Sequence, residues 1–283
     1  MAKLPTEGPN RQAASTGGAY LREADAYRSL LPRSPIRSPE AYAVLVEGST
    51  AAFLLEDLTP LRRVDQMDGL SGADAITVVA ALARFHRFWT AELDRPGSIL
   101  DRHEVRRSAL STIKHPALVE GLAIVRRRWP EVTPEQVDGF ARLVAKAPEL
   151  TAIFGAAGRS SAGGQATLCH GDPRADNLFF AADNTPVLFD WQQIAVQFPE
   201  ADLAWLAATS LDPESRRRCD HDLVSSGDGD PDRYRLGFVL PGMAALMLAQ
   251  RDAADPRAEQ TILSSLQRIG TALVDFDVGA IAR

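Results

Sequence analysis

The chain has 283 residues, enough for one large domain or two domains of average size. Hydrophobic residues make up 45% of it and charged residues 24%, as in ordinary globular proteins, which excludes a mainly disordered or fibrous chain. The 31 Lys and Arg residues against 37 Asp and Glu residues give a formal net charge of −6, which argues against a nucleic-acid binder.

Cysteine usage and hydropathy narrow the class further. The two cysteines, Cys169 and Cys219, do not form a CxxC pair, so we expect neither a disulfide framework nor a cysteine-rich zinc site. No apolar run approaches the roughly 18 residues of a membrane span, and the N-terminal residues lack the apolar core of a signal peptide. The sequence therefore predicts a cytoplasmic protein without a membrane span.

The first sixty residues combine a helical pattern with extended ones. Apolar residues recur at helical spacing over 20–31, and prolines follow that stretch. Two short apolar runs, 41–46 and 51–55, flank the turn-like sequence Glu47-Gly48-Ser49. We therefore predict one helix followed by a β-hairpin.

From Ser71 onward the pattern is mainly helical, and Ser71 with Asp74 has the spacing of a helix start. Further helices are predicted at about 103–111, 117–128, 134–146, 200–210, 233–252 and 257–275. We expect Pro241 to kink the helix that contains it, because proline cannot donate to the helical hydrogen-bond ladder.

A second hairpin interrupts the helices. The apolar runs 178–180 and 187–189 flank Asp183-Asn184, a pair typical of tight turns. Asn177 directly precedes the first run and Asp190 directly follows the second. A hairpin would therefore bring Asn177 and Asp190 side by side.

This pair of side chains suits a metal ion. A carboxylate together with an amide oxygen is a hard-ligand set of the kind that Mg²⁺ prefers, with water and phosphate oxygens completing the coordination. Asp172 lies on the irregular segment just before the first strand. It would stand beside the metal, where it could accept the proton of a hydroxyl group or orient that hydroxyl.

The pattern HGDxxxxN, beginning at His170 and followed by a DW dipeptide, resembles the catalytic loop and metal-binding segment of the aminoglycoside phosphotransferase and choline kinase-like family. The resemblance implies a protein-kinase-like fold, with Asp172 as the catalytic aspartate and Asn177 and Asp190 as magnesium ligands. It implies a structural role for His170. Asp202, in an Asp-Leu-Ala sequence, resembles a residue that supports the catalytic loop.

The resemblance extends upstream and is closest to the ecdysteroid kinase-like branch of the family. The segment around Lys3 resembles the strand whose lysine contacts nucleotide phosphates. The segment around Glu23 resembles the helix whose glutamate pairs with that lysine, which implies a Lys3–Glu23 ion pair. Residues 53–58 resemble the strand and hinge between the lobes, where backbone groups of Glu56 and Leu58 would receive the adenine.

One departure from the family pattern leaves two hypotheses open. The two strands and the glycine-rich turn that would precede Lys3 are not in the sequence, so we predict an α+β, protein-kinase-like fold with a truncated N-terminal lobe. The lobes would be a partial nucleotide-binding lobe at 1–58 and a helical lobe at 59–283. The first hypothesis is a phosphotransferase that uses ATP and Mg²⁺ on a small-molecule hydroxyl. The second is a non-catalytic, pseudokinase-like binding module.

Other readings of the same residues explain less. A metal hydrolase built on His170 and Asp172 would need further ligands that the sequence does not supply. A glycosidase pair of Asp172 and Asp190 leaves Asn177 unexplained. The acidic residues between 212 and 232 could attract a polycationic or choline-like acceptor, but a solvated acidic loop is the simpler interpretation. The acceptor and the oligomeric state stay open.

Overall fold

A computed structural model of the protein describes residues 1–5, 17–93, 95, 98–102, 113–157, 166–252 and 255–282. Short strands and one helix occupy its N-terminal part, and helices dominate from residue 72 onward. In chain order the elements are β1 (Ala2–Lys3), α1 (Ala19–Asp25), β2 (Ala41–Glu47), β3 (Thr50–Leu55), β4 (Arg62–Arg63), α2 (Gly72–Leu93), α3 (His115–Arg128), α4 (Pro134–Ala145), α5 (Ala147–Ala157), β5 (Thr167–Cys169), β6 (Leu178–Phe180), β7 (Pro186–Leu188), β8 (Ala195–Gln197), α6 (Glu200–Ser210), α7 (Pro213–Ser226), α8 (Pro231–Gly237), α9 (Val239–Leu248) and α10 (Pro256–Asp275).

The N-terminal sheet contains the predicted hairpin. Strands β2 and β3 pair antiparallel, and β1 pairs antiparallel with the other edge of β3, which gives the order β1-β3-β2. Alternate residues of β3 are buried, as a half-buried strand requires, and Phe53 packs its ring 5.7 Å from that of Tyr27. The register places Lys3 opposite Phe53, so the lysine stands next to the helical segment that carries Tyr27.

The predicted helix over 20–31 is present, but it is not regular to its end. Regular α-helix stops at Asp25 and is followed by a wider π-turn over Ala26–Leu30 and a 3₁₀ turn over Leu31–Arg33. Pro32 has no N–H to donate to a carbonyl four residues earlier, so the regular ladder cannot continue through it.

The predicted helices of the C-terminal part agree with α3, α4, α6 and α10 to within two residues at each end, and the helix predicted at 103–111 lies outside the described residues. The helix predicted at 233–252 is interrupted as expected, within the turn that precedes Pro241. The chain breaks at Phe238, between α8 and α9, and Pro241 lies in the first turn of α9. Proline is tolerated there because first-turn N–H groups have no partner within the helix.

Helix α2 packs against the segment that carries the HGDxxxxN motif. Its fully buried side chains recur at helical spacing as Val78, Leu82, Phe85 and Trp89. The ring of Phe85 lies 5.5 Å from that of Trp191, which directly follows β7 and its loop. Helix α2 therefore packs against the segment that follows the second hairpin and helps to hold that hairpin in position.

The second hairpin is also present as predicted. Strands β6 and β7 pair antiparallel with Leu178 opposite Leu188, and β4 joins them to give the order β4-β6-β7. Strand β4, which follows residue 58, already pairs with this second sheet. The lobe boundary at residue 58 and the truncation of the N-terminal lobe stay predictions. None of the described helices has the length and apolar character needed to cross a bilayer.

Candidate active site

Lys3 connects three separate parts of the chain. Its Nζ lies 2.7 Å and 2.9 Å from the two carboxylate oxygens of Glu23 on α1, and 2.9 Å from Oδ1 of Asp190 after β7. The ion pair predicted between Lys3 and Glu23 is therefore present. A contact with Asp190 accompanies it, which ties the N-terminal sheet to the loop motif.

The electrostatics of this triad follow from burial. The side chain of Glu23 is fully buried, and burial raises its pKa to about 7 against the opposing charge of Lys3. Burial alone would lower the pKa of Lys3, but the charges of Glu23 and Asp190 outweigh it and hold that pKa above its ordinary value. The lysine therefore stays charged, and it is positioned to neutralise further negative charge.

Asp172 is held by contacts on both of its oxygens. Trp205 of α6 donates its indole N–H to Oδ1 at 2.7 Å, and Asn177 donates its amide to Oδ2 at 3.2 Å. The Nε of Arg174 lies 3.7 Å from Oδ2. Burial raises the pKa of Asp172 to about 6 against the opposing charge of Arg174. A carboxylate with that pKa can take up a proton near neutrality.

The hairpin brings Asn177 and Asp190 together, as its register predicts. The N–H of Phe189 donates to the carbonyl of Asn177 at 2.9 Å, which places Asp190 one residue beyond the last paired position. Asp190 adopts a left-handed φ of 63°, a conformation that Asp tolerates better than most residues.

Asn177 and Asp190 each have a side-chain oxygen that accepts no hydrogen bond from the described residues. Asn177 uses its NH₂ group on Asp172, and no described residue donates to its Oδ1. Asp190 accepts from Lys3 through Oδ1, and no described residue donates to its Oδ2. An amide oxygen and a carboxylate oxygen left in this way form a hard donor pair that fits Mg²⁺.

Asp202 binds the backbone of the loop that carries Asp172, which is the role that the family resemblance implied for it. Its two oxygens accept the backbone N–H groups of His170 and Gly171, both at 2.8 Å, and Oδ2 also lies 2.9 Å from Nε2 of the buried His86. A buried carboxylate that binds several N–H groups fixes the backbone around it. The loop therefore cannot shift without breaking these bonds.

The contacts of His170 assign it a structural role. Its Nδ1 accepts the N–H of Asp172 at 3.2 Å, so its Nε2 carries the proton that is donated to the carbonyl of Phe189 at 3.0 Å. Burial lowers the pKa of this imidazole, which keeps it neutral. Both nitrogens are used within the protein, so His170 joins the loop to the hairpin.

Gly171 provides a stability test of the loop. Its φ is +82°, and a Cβ there would collide with the carbonyl oxygen of Gln193. We expect Gly171→Ala to lower the free energy of unfolding by more than about 2 kcal/mol, because strain and collision add together. Urea unfolding measures this change.

Gly48→Ala is the matched control for that measurement. Gly48 has a similar φ of +57°, but nothing lies within 4 Å of its added Cβ. It should cost only the conformational strain of about 1–2 kcal/mol. Equal losses in the two variants would contradict the close packing of Gly171 on Gln193.

The segment predicted to receive adenine has free backbone groups. Leu58 is buried, and its N–H donates to no described residue. The carbonyl of Glu56 likewise accepts from none, whereas its side chain is bound to Arg37 at 2.7 Å. Any contact from Glu56 to a nucleotide would therefore come from its backbone.

Several of the acidic residues between 212 and 232 form contacts within the chain. Asp212 caps α7 and Asp230 caps α8. Asp220 accepts from Arg216 and Tyr234, both at 2.8 Å. Most of these acidic residues, Asp222 and Asp232 among them, are exposed, so the segment is a solvated acidic surface that is built on helices and their caps.

A buried cluster of His86, Cys169 and Asp202 brings three potential metal-binding atoms within 4.8 Å of one another. The oxygens of Asp202 already bind N–H groups, and burial raises the pKa of the Cys169 thiol well above its ordinary value. A protonated thiol is a poor ligand, so this cluster is part of the core.

Two residues beside Asp172 were missed from the sequence. Arg174 lies inside the loop motif, two residues after Asp172, and this short separation was the signal that the two side chains are close. Trp205 is 33 residues from Asp172 along the chain. The signal for it in the sequence is the supporting role implied for Asp202, which indicates the face of α6 that meets the loop. Helical spacing of three residues would place Trp205 on that same face.

Comparison with known proteins comes from both sequence and structure. A sequence model of the phosphotransferase enzyme family matches residues 9–236. The fold is similar to that of an aminoglycoside phosphotransferase of Streptomyces rimosus solved with ADP and streptomycin, at 20% identity, a TM-score of 0.52 and coverage of 86% of this chain and 85% of that one.

Two further solved structures are similar. One is a choline/ethanolamine kinase family protein of Mesorhizobium loti, with 15% identity, a TM-score of 0.57 and coverage of 99% of this chain and 85% of that one. The other is a choline kinase of Streptococcus pneumoniae, with 12% identity, a TM-score of 0.54 and coverage of 95% and 84%. These likenesses confirm the predicted protein-kinase-like fold.

No curated protein matches the chain by sequence. The narrower resemblance to ecdysteroid kinase-like proteins is not confirmed by the matches above and stays a prediction.

Proposed function

The chain belongs to the phosphotransferase enzyme family, and from that premise we propose that it moves the γ-phosphoryl group of Mg-ATP to a hydroxyl of a small molecule. The observation that carries this proposal is the position of Lys3, which is bonded to both Glu23 and Asp190. A partly buried cation placed beside a hard-oxygen pair suits a site for nucleotide phosphates and their metal.

Each residue of the site has a separate task in this proposal. Lys3, oriented by Glu23, binds phosphate oxygens and neutralises their charge. Asp172 orients the acceptor hydroxyl and takes its proton as the oxygen bonds to the γ-phosphorus, while the bond from that phosphorus to the bridging oxygen breaks and ADP leaves. Asn177 and Asp190 would hold Mg²⁺, which when bound neutralises charge on the phosphate oxygens. Most of the rate enhancement would come from positioning and charge neutralisation.

The nucleotide base would lie against the segment between the two parts of the chain. The carbonyl of Glu56 can accept from an exocyclic amine, and the N–H of Leu58 can donate to a ring nitrogen. Both contacts use backbone groups, so substitution of the Glu56 side chain should affect nucleotide affinity little.

The test of this proposal is an acceptor screen. The purified chain is incubated with Mg-ATP or Mg-GTP and a panel containing aminoglycosides, choline, ethanolamine and simple sugar alcohols. The similar structures include an aminoglycoside phosphotransferase and choline kinases, which sets the choice of panel. Acceptor-dependent ADP or GDP release, with a phosphate ester seen by ³¹P NMR, supports the proposal. Nucleotide binding without any transfer would favour the non-catalytic binding module.

Nucleotide binding gives a prediction that is independent of the acceptor. Mg-ATP at 100 times its Kd should stabilise the folded chain by about 2.7 kcal/mol. We expect Asp190→Asn and removal of the metal with EDTA each to abolish most of the rise in melting temperature, because the substitution removes a ligand of Mg²⁺ and EDTA removes the ion itself. Differential scanning fluorimetry measures the shift.

Asp183→Asn is the control, since Asp183 lies on the exposed turn of the same hairpin. Its shift should equal that of the unsubstituted chain. A full shift in Asp190→Asn would show that Asp190 does not hold the metal. A shift that persists in EDTA would show that the nucleotide binds without the metal.

A further inference from the structure

Helix α6 contacts the loop of Asp172 at several points along one face. Asp202 binds the N–H groups of His170 and Gly171, and three residues later Trp205 binds Asp172 itself. Near the end of the helix, Ser210 accepts the N–H of Ala175 at 2.8 Å through its hydroxyl. Among these contacts from α6, that of Trp205 is made to the reacting carboxylate.

The indole of Trp205 differs from those of the other three tryptophans. Trp89 donates to the hydroxyl of Ser34 at 3.0 Å, and Trp191 donates to the carbonyl of Leu188 at 3.1 Å. Trp129 is buried, and its indole N–H has no partner among the described residues. The indole bond of Trp205 to a carboxylate is the shortest of these, at 2.7 Å, as expected for an ionised acceptor.

Asp172 needs such a bond to hold one orientation. Rotation of a carboxylate about its terminal torsion is broad, so packing alone does not fix the plane of the group. Asn177 and Arg174 both lie next to Oδ2, whereas Trp205 binds Oδ1. The indole and the amide bind opposite oxygens, and together they fix the plane of the carboxylate.

We propose that Trp205 is a positioning residue for phosphoryl transfer, holding Oδ1 of Asp172 and with it the plane of the carboxylate, so that a lone pair of Oδ2 not used by Asn177 faces the acceptor hydroxyl. This inference rests on the proposed function of the site. Trp205 is half-buried, and its indole N–H is bound to Oδ1 of Asp172. The proposal therefore gives Trp205 no contact with the nucleotide phosphates. Its loss should therefore affect turnover and leave nucleotide binding unchanged.

The first test is Trp205→Phe, which keeps an aromatic ring and removes the N–H. We expect kcat to fall by about 10- to 100-fold, since loss of orientation at a reacting group has effects of this size. The KM for Mg-ATP and the melting-temperature shift with Mg-ADP should not change. Turnover is measured as ADP released from Mg-ATP with the acceptor panel described above and with water as acceptor.

Trp129→Phe is the matched control, because it removes an indole N–H that has no partner. It should leave kcat unchanged. A merely structural effect of Trp205→Phe would lower the melting temperature without the split between kcat and KM.

Replacement of Trp205 by benzothienylalanine keeps the size and shape of the indole and exchanges N–H for sulfur, so it covers the case in which Trp205→Phe fails to fold. It should show the same loss of kcat. A kcat for this variant within two-fold of that of Trp129→Phe would overturn the inference and leave the proposed function intact. Absence of any transfer by the unsubstituted chain would overturn the proposed function together with this inference.

Discussion

Asp172→Asn is expected to lower kcat by about 100- to 10,000-fold, the range that a positioned general base contributes. An amide cannot take up the hydroxyl proton, although it retains the shape of the carboxylate. Burial raises the pKa of Asp172 to about 6, which means that the folded protein disfavours its charged form. Replacing the carboxylate removes that penalty but turns an NH₂ group toward one of its two donors, Trp205 or Asn177, so the net change in stability should be small. The variant should still bind Mg-ATP.

The measurement is a pair of assays on the same sample, acceptor-dependent ADP release and the melting-temperature shift with Mg-ATP. Asp176→Asn is the control on the same loop, because Asp176 forms a surface ion pair with Arg63 at 3.3 Å. It should change kcat little. Near-normal transfer by Asp172→Asn would show that another group positions the acceptor hydroxyl.

The features that could be predicted from the sequence are those set by local rules. The hairpin of β6 and β7 is encoded by two apolar runs around Asp183-Asn184, and its two-stranded geometry brings Asn177 next to Asp190. The pairing of Lys3 with Glu23 could be inferred from the family resemblance, because both segments match its pattern.

The features that could not be predicted depend on how distant helices pack. Trp205 meets Asp172 because α6 lies across the loop, and no local pattern encodes that direction of approach. Pro241 indicates a break in the helix predicted at 233–252, but its exact place at Phe238 also depends on packing. A Cβ at Gly237 would lie 2.8 Å from the carbonyl oxygen of Glu200, so α8 and α6 approach closely there. A periodic pattern read along one helix does not report such a contact.

Asp202→Asn is expected to produce the largest loss of stability. Asp202 accepts the N–H groups of His170 and Gly171 on separate oxygens and pairs with the buried His86. An asparagine can accept on one side only, and its NH₂ group would face the remaining donor. A buried donor without a partner, together with a broken buried pair, costs about 3–5 kcal/mol.

Urea unfolding of Asp202→Asn should therefore show a lower midpoint at an unchanged m-value. Activity should fall with it, by about 100-fold at temperatures where the variant is folded, because the loop that presents Asp172 loses its anchor. Asp228→Asn provides the control, since Asp228 forms an exposed ion pair with Arg87 and should change stability by less than about 1 kcal/mol.

Asp202→Asn and Trp205→Phe together separate the two ways in which α6 can act on the site. Loss of the Asp202 anchor should lower both stability and kcat, whereas loss of the Trp205 indole N–H should lower kcat alone. If Asp202→Asn lost stability but kept full kcat when folded, the backbone of the loop would hold its geometry without that anchor. The orientation of Asp172 would then depend on Trp205 and Asn177, the two residues that bind its oxygens directly.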